Sequence, residues 1–316
     1  MPLNQQIINT VPPEMGGQRL DQAAASLYPQ FSRSQIQKWI KAGHIRVDDK
    51  ILKPKERLTG GEEIVLNAVQ EAQTEFAPED IPLDIVYEDS AILVLNKPAG
   101  LVAHPAAGNW TGTLVNALLH YHPGLEMLPR AGIVHRLDKD TTGLMVVAKT
   151  LEAHTRLVGL LQERAVSREY LALVSGQVVA GSTIEANIGR HPVDRKKQAV
   201  TDGGKEAITH YRVEERFPHH TLLRVSLETG RTHQIRVHLS WKHLPIVGDQ
   251  TYGGRPRVPA GISEELRTAL QTFPRQALHA TRLGLVHPES GEYLEWARPM
   301  PEDMTTLLDL LRKEVA

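Results

Sequence analysis

Apolar positions along the chain follow two rhythms, one of three and four residues and one of two. In "RLDQAAASLYPQF" the apolar residues Leu20, Ala23, Ala24 and Leu27 share a helical face, which predicts a first helix. "SRSQIQKWIKAG" predicts a second, with Ile36, Trp39 and Ile40 on its buried face. Ser32 or Ser34 is placed to cap its start and Gly43 to end it. "HIRVDDKILK" then reads as strand, tight turn and strand, and "EEIVL" as a further strand. Periodicity is lost in "EAQTEFAPEDIPLD", which carries two prolines and reads as a linker.

Beyond the linker, β-rich runs recur. "LDIVYEDSAILVLNKPAGL" predicts two strands around an Asp-Ser turn, and "GLMVVAK", "REYLALVSG" and "HTLLRVSLE" predict three more. Helices are predicted over "TLVNALLHYH", "LEAHTRLVGLLQERA" and "RTHQIRVHLSWK". A last one, "EDMTTLLDLLRKEV", has Met304, Leu307, Leu308 and Leu311 on one face. Helices do not alternate with strands one for one, so the predicted class is α+β with a largely antiparallel, mixed sheet. At 316 residues there is room for about two domains. The expected division is an N-terminal tail (1–16), a small domain (17–70), an acidic linker (71–82) and a large domain (83–316).

Composition narrows the chemistry. The absence of cysteine excludes disulfide frameworks, cysteine-ligated zinc and thiol nucleophiles. "MPLNQQIINTVPPEMGG" lacks the basic and apolar regions of a secretory signal, and no apolar run is long enough to span a bilayer. A cytoplasmic protein is expected. No G-x-G-x-x-G or phosphate-binding P-loop is present, so no nucleotide cofactor is indicated. The histidines show no metal spacing, and no metal is expected.

Net charge is −1, but it is unevenly spread. Residues 1–70 carry +2, residues 71–89 carry −7 and residues 90–316 carry +4. The second helix and the strand after it contain Arg33, Lys38, Lys41 and Arg46, with no acid between residues 22 and 47. Such a face is either solvated or an RNA-backbone contact. The loops "RHPVDRKK" and "YGGRPRVP" are further phosphate-contact candidates, with the same two readings.

The densest chemistry lies in "GIVHRLDKDTTGL", residues 132–144. "DKDTTG" starts like a calcium loop, but position twelve is Lys149, a cation where a bidentate acid belongs. D-x-D-x-T also occurs in metal-dependent phosphatases, whose first Asp ends a buried strand; here His135 and Arg136 interrupt the preceding run. A turn accounts for Asp140, Thr141 and Gly143, but less well for Arg136 and Asp138.

"HRLDKDTTG" closely resembles the catalytic motif of the RluA-type pseudouridine synthases, H-R-L-D-x-x-T-S/T-G. "SREYLALVSG" and "LETGRTHQIRVHL" with "HLPIVGD" match two further segments of that family in order. The segment 18–66 resembles an S4 RNA-binding domain. The chain looks most like the subgroup acting on large-subunit ribosomal RNA. This resemblance implies a cofactor-free isomerase that breaks the N-glycosidic bond of a uridine and rejoins the base through carbon. It implies Asp138 as the catalytic carboxylate, acting as nucleophile or in proton transfer, Tyr170 stacked on the base with a proton-transfer role open, Arg236 as the cation beside Asp138, and Arg136 as the side chain that displaces the base, the other reading of Arg136 being a salt bridge with Asp138 or Asp140. Arg33, Lys38, Lys41 and Arg46 are the implied S4-domain contacts. The implied partners are 23S ribosomal RNA, in the helix 69 stem-loop, and the large ribosomal subunit or its precursors. No membrane partner is implied, and a monomer is expected, because one chain carries every named residue. The other readings of the chain are a non-catalytic RNA-binding assembly factor and, more distantly, a metal-dependent phosphatase.

Overall fold

A computed structural model describes residues 5–29, 31, 33–68, 76–104, 110–254 and 258–314. Its contacts divide the chain into two units, 1–75 and 76–316.

The first unit contains β1 (Gln5–Thr10), α1 (Leu20–Leu27), α2 (Arg33–Ala42), β2 (Ile45–Val47) and β3 (Glu63–Ala68). The strands form an antiparallel sheet in the order β1-β3-β2. Leu20, Ala23 and Ala24 of α1 pack with Ile36, Trp39 and Ile40 of α2 in one buried cluster. Gly43 ends α2 at φ +77°, and a Cβ there would lie 2.9 Å from Ile51 Cδ1. Asp48 and Asp49 both have positive φ, 45° and 60°, as a two-residue hairpin turn requires.

Three expectations are corrected here. The tail is not a tail: Gln5–Thr10 pairs residue for residue with Ala68–Glu63 and supplies an edge strand. Its "QQIINT" is too short and too polar to announce a strand without its partner. "KILK" is no strand; pairing beyond the turn stops at a single Val47–Lys50 bridge. The linker is shorter than expected, because Phe76 and Ile81 already pack on the core of the second unit. Of the two candidate caps, Ser32 and the side chain of Ser34 lie outside the described residues.

The second unit runs β4 (Ile85–Glu88), β5 (Ile92–Lys97), α3 (Leu114–Tyr121), β6 (Thr142–Ala148), α4 (Leu151–Gln162) and β7 (Ser167–Ser175). It continues with β8 (Ser182–Glu185), β9 (Ile188–Arg190), β10 (Gln198–Val200), β11 (Ile208–Arg216), β12 (His220–Leu227) and α5 (Gln234–Trp241). It closes with α6 (Glu264–Thr272), β13 (Leu278–Val286), β14 (Tyr293–Ala297) and α7 (Glu302–Lys313). Among the described residues, nine of these strands make one sheet, ordered β4-β5-β6-β13-β7-β12-β11-β8, with β14 beside β13. All its pairings are antiparallel except β6 with β13. The α+β class is therefore as expected.

The sheet is covered on both faces, so its central strands are apolar almost throughout. Leu93, Leu95, Met145 and Val147 point into the core shared with α3, α6 and α7. Their alternates Ile92, Val94, Leu144, Val146 and Ala148 point to the other face, against Leu157 and Leu160 of α4. This period-two division aims the start of β6, and the loop before it, at the centre of the sheet. Met304, Leu307, Leu308 and Leu311 of α7 are buried as their spacing predicts. Thr150 caps α4, its hydroxyl accepting from the Ala153 N–H at 3.1 Å.

Candidate active site

Asp138 sits in the loop that leads into β6, and that loop is held at nearly every residue. His135 Nε2 accepts from the Val146 N–H at 3.1 Å, tying the motif to the strand it precedes. Burial holds the His135 pKa down to about 3, so the ring is a neutral acceptor. Leu137 is buried in the main core. The Lys139 carbonyl accepts from Lys97 Nζ at 2.8 Å, and the Asp140 carbonyl from Arg275 Nη1 at 3.2 Å. Gln276 Nε2 donates to Thr141 Oγ1 at 3.0 Å, and Thr142 Oγ1 lies 2.9 Å from His279 Nδ1. Gly143 must be glycine: its φ is +116°, and a Cβ would stand 2.2 Å from the Ala280 carbonyl oxygen on β13.

Lys97 is fully buried at the end of β5. Its three donors go to the carbonyls of Pro98, Leu101 and Lys139. Burial pushes its pKa down to about 7, against the pull of Asp140 and Asp138. Three acceptors around one nitrogen match the three N–H bonds of the ammonium form, so we assign the charged state.

Arg236 projects from α5, with its side chain only 7% exposed. Nη1 donates to Asp138 Oδ2 at 2.9 Å, while Nε and Nη2 clamp Asp249 at 2.7 and 2.9 Å. Burial opposes the Arg236 charge, but Asp249 and Asp138 outweigh it and raise the pKa above the usual arginine range. Burial likewise opposes the Asp249 charge, and the bonds from Arg236 hold that carboxyl below its usual range. The Tyr252 ring stacks 5.1 Å from the guanidinium. One fixed cation thus braces the Asp138 carboxylate through a single oxygen, Oδ2.

Tyr170, on β7, is 6% exposed and lines the same cavity. Burial raises its pKa, so it is a neutral phenol, and its hydroxyl has no hydrogen-bond partner among the described residues. Arg136 is exposed at the cavity wall and forms no ion pair with Asp138 or Asp140. The cavity holds about 560 Å³. Arg130, Arg136, Arg164, Arg168, Arg231 and Arg236 line it, against two acids, Asp138 and Glu228. Among the described residues, no group of three or more His, Asp or Glu is placed to hold a metal ion.

The four candidates of the second unit therefore share one cavity. Those of the first unit differ among themselves. Arg33 is not an uncompensated base: its Nη2 lies 3.0 Å from Oδ2 of the buried Asp21, which also accepts from Arg19 and Gln37. Burial works against that carboxylate, but the three donors hold its pKa down to about 2. The lack of acids between 22 and 47 missed Asp21 because it arrives across the helix pair, from α1. Lys38, Lys41 and Arg46 are exposed. Arg190, Arg195 and Lys196 are also exposed, whereas Arg255 and Arg257 lie outside the described residues.

Residues 91–241 match the RNA pseudouridylate synthase family, and residues 18–64 match the S4 domain. "Ribosomal large subunit pseudouridine synthase D" of Pseudomonas aeruginosa is 59% identical over 304 residues, covering 96% of this chain and 95% of the relative. The protein of the same name from Escherichia coli K12 is 54% identical, covering 98% and 95%. The chain belongs to the RNA pseudouridine synthase family. The structure of human RNA Pseudouridylate Synthase Domain Containing 4 matches with a TM-score of 0.55 at 26% identity, over 72% of this chain and 93% of that one. This pseudouridine synthase is thus an isomerase with an S4 domain before its catalytic unit. Sequence reasoning did not find Lys97, Asp249 or Tyr252, and it took His233 for a structural or RNA-contacting residue. Lys97 left a signal, a lysine one residue past the β-type apolar run in "ILVLNK". Asp249 left only the "GD" after "HLPIV".

Proposed function

We propose that this synthase converts uridines of 23S ribosomal RNA to pseudouridine, in the helix 69 stem-loop, within the large ribosomal subunit or its precursors. The relatives' names support the substrate, and one observation carries the chemistry. Asp138 is braced by Arg236 on one oxygen, beside Tyr170, in an arginine-lined cavity.

A uridine inside a helix cannot reach Asp138, so it leaves the stack. Arg136, exposed at the cavity wall, fills the gap it leaves, since a planar guanidinium stacks where a base was. The uracil lies against Tyr170. Oδ1 of Asp138, the oxygen not bound by Arg236, meets the nucleoside as nucleophile or base. The N1–C1′ bond breaks, the uracil turns and C5 bonds to C1′. The C5 proton is lost and N1 gains one, so the reaction balances without redox change or an added group. Lys38, Lys41 and Arg46 contact RNA phosphates from the S4 domain. The enzyme acts as a monomer in the cytoplasm.

The test is release of tritium from RNA labelled at uracil C5, with naked 23S RNA and with large subunits. Wild type should release tritium and Asp138→Asn should not. Absence of release from wild type on both substrates would leave an RNA-binding assembly factor as the reading. Release by Asp138→Asn would overturn the carboxylate's role.

A further inference from the structure

His233 occupies an unusual place. It precedes α5 in the left-handed region, φ 57°, three residues before Arg236. Its ring stands edge-on to Tyr252, with centroids 5.6 Å apart. His233 Nδ1 is 2.8 Å from Tyr252 Oη, and His233 Nε2 faces Asp138 Oδ1 at 3.7 Å. Arg236 and His233 therefore approach opposite oxygens of the same carboxylate.

The hydrogen bonds also indicate the ring tautomer. Tyr252 Oη already accepts from the Gln198 N–H at 2.9 Å. Among the described residues, the acceptor in reach of its own proton is His233 Nδ1. Nδ1 then has a lone pair, and the ring proton sits on Nε2, toward Asp138. The charged groups facing the ring are Asp138, Arg236, Arg136 and Asp249. Burial is the largest influence and lowers the pKa, which keeps the ring neutral near pH 7.

We propose that His233 is a positioning residue for isomerisation, its Nε2–H holding Oδ1 of Asp138 in the orientation that meets the nucleoside, with Tyr252 fixing the tautomer. This rests on the reading of Asp138 given above. At 3.7 Å the contact is not yet a hydrogen bond. Catalytic contacts are commonly long before substrate binds and tighten in the complex. A carboxylate held by Arg236 alone keeps a free swing about that bond, and the second donor removes it.

The experiment measures single-turnover tritium release at saturating RNA, with RNA affinity measured separately. His233→Ala should lower the rate about ten- to a hundredfold while affinity changes less than about threefold. The informative pair is His233→Gln and His233→Asn. Glutamine places its amide N–H near the Nε2 position, whereas asparagine places one near Nδ1 but tolerates the left-handed backbone better. A donor role predicts that glutamine recovers more rate than asparagine; a backbone role predicts the reverse order and would overturn the proposal. Tyr252→Phe, which keeps the ring on Arg236, should reduce the rate with RNA affinity intact, and a wild-type rate would overturn the tautomer assignment. A wild-type rate in His233→Ala would overturn the whole inference. Failure of wild type to release tritium would instead strike the proposed function, so the two outcomes are distinct.

Discussion

At the scale of single residues, the site depends on one guanidinium shared by two carboxylates. Arg236 gives one N–H to Asp138 and two to Asp249. Arginine alone provides this fork; a lysine at the same place would offer a point charge and could not hold both acids in plane. Arg236→Ala strands Asp249 as a buried, uncompensated charge. The expected cost is about 3–5 kcal/mol of stability together with loss of tritium release. Arg236→Lys should recover part of the stability and little of the rate. Denaturant unfolding of the two variants checks this, and an unfolding midpoint for Arg236→Ala equal to wild type would contradict it. The motif, the tyrosine and this arginine could be singled out in the sequence because each lies in a segment that resembles a family motif; read alone, the arginine looked like a surface residue. Asp249 was not, because what makes it matter is a partner thirteen positions away, at the end of a different segment.

At the scale of elements, β6 decides where Asp138 stands. The loop before β6 is anchored by Lys97 from the end of β5 and by Arg275 and Gln276 just before β13, and the first residue of β6 by His279 of β13. Gly143 is the point where β6 runs against β13, and β6 pairs with β13 in parallel only at Thr142 and Gly143. Adding one methyl group there puts a Cβ on the Ala280 carbonyl, at a φ that L-residues avoid. Gly143→Ala should therefore force the two strands apart, costing about 3 kcal/mol or more and displacing the loop. Hydrogen exchange should quicken across β6 and the start of β13, with activity lost in parallel. Unchanged protection in both strands would refute this account of the packing. The sequence announced β6 as a strand and "DKDTTG" as a turn, but parallel pairing with a strand more than a hundred residues later has no local signature.

At the scale of the whole molecule, the proposed function divides recognition and chemistry between the two units. The 1–75 unit has its own core. Removing residues 1–75 should weaken RNA affinity about tenfold or more and flatten its salt dependence, because phosphate contacts set both. The single-turnover rate at saturating RNA should change by less than about threefold. Filter binding at two salt concentrations checks the first part. Equal affinity of the shortened and full-length proteins would remove the docking role of Lys38, Lys41 and Arg46. Arg33 contributes less to that face than its exposed position on α2 implied, since Asp21 already takes its charge.

The sequence by itself determined most helices, the central strands and the α+β class, and its motif spacing pointed to the family. Periodicity, turn residues and motif spacing are local properties, and local properties are written in consecutive letters. Only the tertiary structure decided which charges are spent on one another. It paired Arg33 with Asp21, buried Lys97 under the Asp138 loop, added Asp249 to the expected pair of Arg236 with Asp138 and turned His233 toward Asp138. A buried charge is tolerated only beside its partner, and partners from distant segments meet only when the chain is folded.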